Sequence, residues 1–204
     1  TTLHPPDSQF IHNARDLGCN VFFALTALFQ TSALAELVFD INHTSYKVQK
    51  SGNQPITYDQ LIAQRQDCNK QRPFAACTIA SHSYSVELVK SPFPCRVAKL
   101  DLNVKIRIVL PDFGDLLPSD QERLLGFSNK LSEHEAGHVD IYKAEFTKLY
   151  DKVSALTSDI SCGQLKSQIT QELKSGVDEI RVRQISYDTR TRHGILQGTR
   201  FPTQ

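Results

Sequence analysis

Two histidines and a glutamate at fixed spacing carry the clearest chemistry in this chain. His134-Glu135-Ala136-Gly137-His138 is an H-E-x-x-H pentapeptide. In a helix, residues four apart share one face and stand about one turn from each other. Two neutral imidazoles so placed can ligate one Zn²⁺. The glutamate beside the first histidine can then take a proton from a water on the metal. That is metal-assisted hydrolysis, most often of peptide bonds. The plainer alternative is a solvent-facing helix that carries two histidines by coincidence. With only 7 His in 204 residues, coincidence is the weaker expectation.

A catalytic zinc takes three protein ligands and keeps one position for water. The pentapeptide supplies two. Glu145 is on the same face as His138 but about 10 Å further along the axis, too far to share an ion. Asp140 lies on another face. The longer pattern H-E-x-x-H-x-x-G-x-x-H fails, because Ile141 and Ala144 stand at its last two fixed positions. Two candidates stay open for the third ligand: Glu172 in a second expected helix, and His193 near the C-terminus. Tyr187 could donate to an oxyanion, or anchor the C-terminal segment by packing. Asp188 could orient a ligand histidine or cap a turn.

These side chains must be positioned by an α+β fold. Residues 37–48, 78–89 and 97–110 read as strands, with Pro111 ending the last. Thr57 is a plausible N-cap for a short helix. Ser119 and Glu122 have capping-box spacing and open a helical stretch that runs to about residue 156. It forms one helix, or two broken near Gly126. Gly137 within it either lets another group approach closely or is a small residue tolerated at a helix contact. A second helix is expected over about 161–183. Residues 184–204 lose helical periodicity and read as a tail. The expectation is a small antiparallel sheet, then two long helices, the first carrying H-E-x-x-H, and an extended C-terminal tail folding back on the site.

Formal net charge is +1, which gives no reason to expect nucleic acid or an anionic membrane as partner. No stretch is long enough for a spanning helix. Residues 21–29 are largely apolar and are followed by Ala33-Leu34-Ala35, a small-x-small cleavage pattern. Residues 1–35 are therefore expected to hold a signal peptide and upstream residues, and 36–204 a single zinc-hydrolase domain. A buried helix at the domain start is the rival reading. Without Cys19 the chain keeps Cys68, Cys77, Cys95 and Cys162. Four cysteines in an exported domain suggest two disulfides. Cys68 with Cys77 would close a short loop, and Cys95 with Cys162 would tie the strand region to the helices.

The chain resembles the bacterial family DUF922, whose members are taken to be secreted zinc-dependent proteases. The resemblance rests on Tyr46-Lys47-Val48 through Tyr58-Asp59-Gln60-Leu61, on the pentapeptide, and on Tyr187-Asp188-x-x-Thr191-x-His193-Gly194 followed by Gly198 and Phe201-Pro202. It implies a secreted α+β zinc hydrolase with His134, His138 and His193 as ligands and a peptide or protein substrate. Glu135 is then the general base, and Tyr187 the candidate oxyanion donor. The rival from another class is a non-catalytic exported protein, with a structural zinc held by four protein ligands and a partner-binding surface.

Overall fold

The computed structural model describes residues 36–50, 52, 54–65, 74–90 and 94–202. The signal-peptide reading of residues 1–35, and Cys68, lie outside the described residues. Along the chain come β1 (Glu36–Lys47), α1 (Tyr58–Ala63), β2 (Cys77–Lys90), β3 (Cys95–Asp112), α2 (Pro118–Ser154), β4 (Thr157–Ser158) and α3 (Cys162–Thr191). A 3₁₀ turn, Ile195–Gln197, follows.

The α+β class holds, but the sheet is mixed rather than antiparallel. Strand order is β1-β3-β2, with β4 pairing the start of β3. β2 and β3 pair antiparallel, as their short connection allows. β1 runs parallel to β3, from Glu36 opposite Asp101 to Lys47 opposite Asp112. Residues 48–76, which contain α1, join the end of β1 to the start of β2 at the same end of the sheet; β2 then carries the chain back, so that β3 enters between the two strands parallel to β1. Period-two alternation marks a strand without recording its direction. β3 also continues through Pro111 instead of ending there. Its pairing with β2 stops at Val109, so Pro111 has a neighbour on one side only, where a missing N–H is tolerated.

Leu100, Leu102, Val104, Ile106 and Ile108 point to one face of β3, and all are buried. Val139, Phe146, Leu149 and Val153 of α2 and Leu165, Ile169, Leu173 and Ile180 of α3 join them in one core cluster. A second cluster gathers Tyr46, Val48, Ile56, Leu61, Phe113 and Leu116 around Leu124, Phe127 and Leu131 of α2. The pentapeptide lies between the two clusters, one helical position past Leu131's turn and directly before Val139. Both ends of that helical segment are thus packed, which fixes the direction in which its histidines point.

α2 is one continuous helix through Gly126 and Gly137. It starts two residues earlier than the Ser119 capping box implies. Leu117 is the N-cap, without a side-chain bond, and Pro118 occupies the first turn, where its fixed φ suits a helix start. Thr57 caps α1 as expected, in a reciprocal capping box with Gln60.

The largest correction concerns the C-terminus. α3 runs on to Thr191, so Tyr187 and Asp188 are helical rather than part of an extended tail. Apolar periodicity disappears after Ile180 because the inward positions there face a polar site. Thr189 and Thr191 bond the carbonyls of Ile185 and Tyr187, which keeps those hydroxyls within the helix. The reversal comes later. Arg192 and His193 have φ of 49° and 53°, and Gly194 has φ of 81°. This left-handed run turns the chain back over α2.

Cys95 and Cys162 are disulfide-bonded, with Cα atoms 5.3 Å apart. The expected link between strand and helix regions is therefore present. Cys77 is also disulfide-bonded.

Candidate functional site

His134, Glu135 and His138 are all buried on α2. Their nearest polar neighbours come from α3, the 3₁₀ turn and the start of β2. His138 Nδ1 lies 2.5 Å from Gln184 Oε1, while Gln184 Nε2 donates to the His138 carbonyl at 3.0 Å. His134 Nδ1 lies 2.8 Å from Gln197 Oε1, and Gln197 Nε2 donates to the Tyr187 hydroxyl at 3.0 Å. Each amide nitrogen is engaged elsewhere, so each amide oxygen faces a ring nitrogen. Both Nδ1 atoms are then donors, and in a neutral imidazole the proton is on that side.

Both Nε2 atoms consequently turn lone pairs inward, and they meet one atom. Asp188 Oδ1 is 3.3 Å from His134 Nε2 and 3.1 Å from His138 Nε2. Lone pairs facing a carboxylate oxygen repel unless a cation or a proton lies between them. Ligand atoms of His134, His138 and Asp188 all fall within 4.8 Å of one another. Nitrogen and carboxylate donors around a small space suit zinc.

Electrostatics follow from this convergence. Burial lowers the His138 pKa, but its bonds to Asp188 and Gln184 and the charges of Glu135 and Asp188 outweigh that and raise it overall. Burial pushes Asp188 up, yet the histidines around it hold its carboxyl well below the usual range. Glu135 is raised, by burial first, although the bond from Thr78 and the nearby histidines pull the other way. Thr78 Oγ1 donates to Glu135 Oε2 at 2.7 Å. A buried carboxylate with a raised pKa is a stronger base than a solvated one.

The other expected site residues fall as follows. The Tyr187 ring stacks on His134, centroids 5.1 Å apart and planes 11° from parallel. Its hydroxyl donates to the His134 carbonyl at 3.3 Å. His193 Nδ1 lies 3.6 Å from the same Asp188 oxygen, but the side chain is 46% exposed. Its ring stacks on Phe74 at 4.3 Å. Glu172 bonds Lys152 instead, about 24 Å along α3 from Asp188. Glu145 pairs with Lys148.

Gln184, Gln197 and Thr78 carry no signal of their own in the sequence, since neutral polar residues form no motif. One signal was available. Ile180, Gln184 and Asp188 are four apart, so polar residues continue a stripe that is apolar up to Ile180. A buried stripe that turns polar marks a helix leaving the core for a site.

The model for the family described as "Bacterial protein of unknown function (DUF922)" matches residues 43–194. That span contains the pentapeptide, Gln184, Asp188 and His193. The chain belongs to the DUF922 family. No curated protein and no solved structure matches it. Among the described residues of this DUF922 protein, no helix is long and apolar enough to cross a membrane.

Proposed function

We propose that this DUF922 protein is an exported zinc-dependent metallopeptidase. The observation that carries the reading is the convergence of His134 Nε2 and His138 Nε2 on one point, with both Nδ1 atoms held by amides. His134 and His138 supply two ligands. The C-terminal end of α3 and the turn after it complete the set, where Asp188 and His193 each present an atom. Bound zinc would supply Lewis acidity, acidifying a water and polarising a scissile carbonyl. Glu135 takes the proton of the attacking water and returns it to the departing amine. Thr78 fixes the Glu135 carboxylate for that transfer. Tyr187, offered by the sequence as an oxyanion donor, holds the His134 ring through stacking and its bond to the carbonyl. Export agrees with the Cys95–Cys162 disulfide, since such bonds persist in oxidising compartments.

The test is metal content with turnover of an unfolded protein substrate. Glu135→Gln should retain one zinc and lose hydrolysis. Full turnover in that variant, or no metal uptake by the unaltered protein, would end the reading.

A second reading draws on His193, whose Nδ1 is near Asp188. If His134, His138, Asp188 and His193 all bound one ion, no position would remain for water. The zinc would then be structural, tying the end of α3 to α2, and the protein would act by binding a partner.

A further inference from the structure

We infer that Asp188 is a direct metal ligand and that three protein side chains, His134, His138 and Asp188, form the complete set. This rests on the zinc-site reading above and goes beyond it by assigning the third ligand. Three observations carry it.

The first is which nitrogen Asp188 faces. A carboxylate that orients a ligand histidine from behind sits on the ring nitrogen that does not bind the metal. Gln184 and Gln197 already occupy those positions, on Nδ1 of each ring. Asp188 instead faces both Nε2 atoms, the two that point inward.

The second is distance. Around a tetrahedral zinc with bonds of 2.0–2.2 Å, ligand atoms stand about 3.3–3.6 Å from each other. Asp188 Oδ1 lies 3.3 Å and 3.1 Å from the two Nε2 atoms. The first distance matches that edge length and the second is 0.2 Å short of it, so a small outward shift of Asp188 would complete the edge.

The third separates Asp188 from His193. The mutually close group comprises His134, His138 and Asp188, without His193. The His193 ring is stacked on Phe74 and half-exposed. His193 is itself part of the left-handed turn, whereas Asp188 is held within α3. Three ligands leave one position for water, which is the catalytic pattern rather than the structural one.

Cobalt(II) as probe metal can decide the assignment. A thiolate bound to cobalt gives an intense near-ultraviolet charge-transfer band, which a distant thiol does not. Asp188→Cys and His193→Cys would each be loaded with one equivalent of Co²⁺ and compared with the unaltered protein. The band is expected in Asp188→Cys and absent in His193→Cys. A band in His193→Cys alone would overturn the assignment and return the third position to His193. Should Asp188→Cys fail to fold, X-ray absorption on the zinc-loaded unaltered protein counts imidazoles directly. Two supports the assignment, and three overturns it. If the unaltered protein binds neither Zn²⁺ nor Co²⁺, the parent reading fails and this one fails with it. Metal bound by the unaltered protein with a silent Asp188→Cys defeats this inference alone. Asp188→Ala should lower zinc affinity by more than about 100-fold, beyond the 10–100-fold typical of a supporting residue.

Discussion

A methyl group on Gly137 would lie 2.1 Å from the Tyr187 hydroxyl oxygen and 2.6 Å from its ring carbon Cζ. Gly137 therefore lets α3 lay an aromatic ring across α2 between the two histidines. In an exposed helix, Gly→Ala gains about 1 kcal/mol. Here Gly137→Ala should instead destabilise by about 1–3 kcal/mol, because Tyr187 must move out of a packed contact. Thermal melts of Gly137→Ala, Tyr187→Ala and the double variant would check this. The double variant should recover much of the loss. A more stable single variant would mean the close approach does not exist.

Gln184 is the acceptor for His138 Nδ1 and the donor to the His138 carbonyl. Gln184→Leu keeps the size but leaves both groups unpaired in a buried setting. Zinc affinity should fall about 10–100-fold, the usual effect of losing a group that orients a ligand. Stability of the metal-free protein should drop by roughly 1–3 kcal/mol. Competition against a chelator and urea denaturation measure the two effects separately. Unchanged affinity would remove Gln184 from the proposed metal site.

Tyr142 should give the fold an alkaline limit. Its pKa is pushed up to about 12, by burial first and then by the charges of Asp188 and Glu135. The unfolded value is near 10. Because the folded value is higher, this group's contribution is fully present below pH 10 and is lost as pH rises through about 12. Tyr142→Phe should flatten that loss by up to roughly 2 kcal/mol. Denaturation at pH 9 and pH 11.5 tests the sign. A steeper alkaline loss in the variant would contradict it.

The Cys95–Cys162 bond closes a loop with a sequence separation of 67. Chain entropy for a loop of that length gives about 4 kcal/mol. Replacing both cysteines with serine should lower stability by about that much, read from urea midpoints at equal slope. A cost below about 1 kcal/mol would place the cross-link outside the cooperative fold.

Legibility of the sequence varied with what each residue faces. α2 was readable because Leu124, Phe127, Leu131, Val139 and Phe146 face apolar clusters at helical spacing. β3 was readable because its buried side chains alternate. The end of α3 was not, since Gln184, Tyr187, Asp188 and Thr191 face polar groups and mimic a loop in composition. The parallel pairing of β1 was hidden because a strand's pattern is the same in either direction. His134, Glu135 and His138 were found by their spacing. In the sequence Asp188 reads as a supporting group or a turn cap; which ring nitrogen it faces is a property of two helices together.

The Cys95–Cys162 cross-link is at the opposite end of α3 from Asp188, about 39 Å away along the axis at 1.5 Å per residue. Between the two ends α3 is held by Leu165, Ile169, Leu173 and Ile180 in the core, and the cross-link adds to that packing in setting the helix's angle. A tilt of 3° at Cys162 would displace Asp188 by about 2 Å, more than a coordination bond tolerates. Gly176 narrows that freedom midway, since a methyl there would lie 2.4 Å from a Leu149 methyl on α2. The cross-link and the packing along α3 thus together set the aim of Asp188. Reduction should loosen the aim of Asp188 at the proposed metal site before it unfolds the protein.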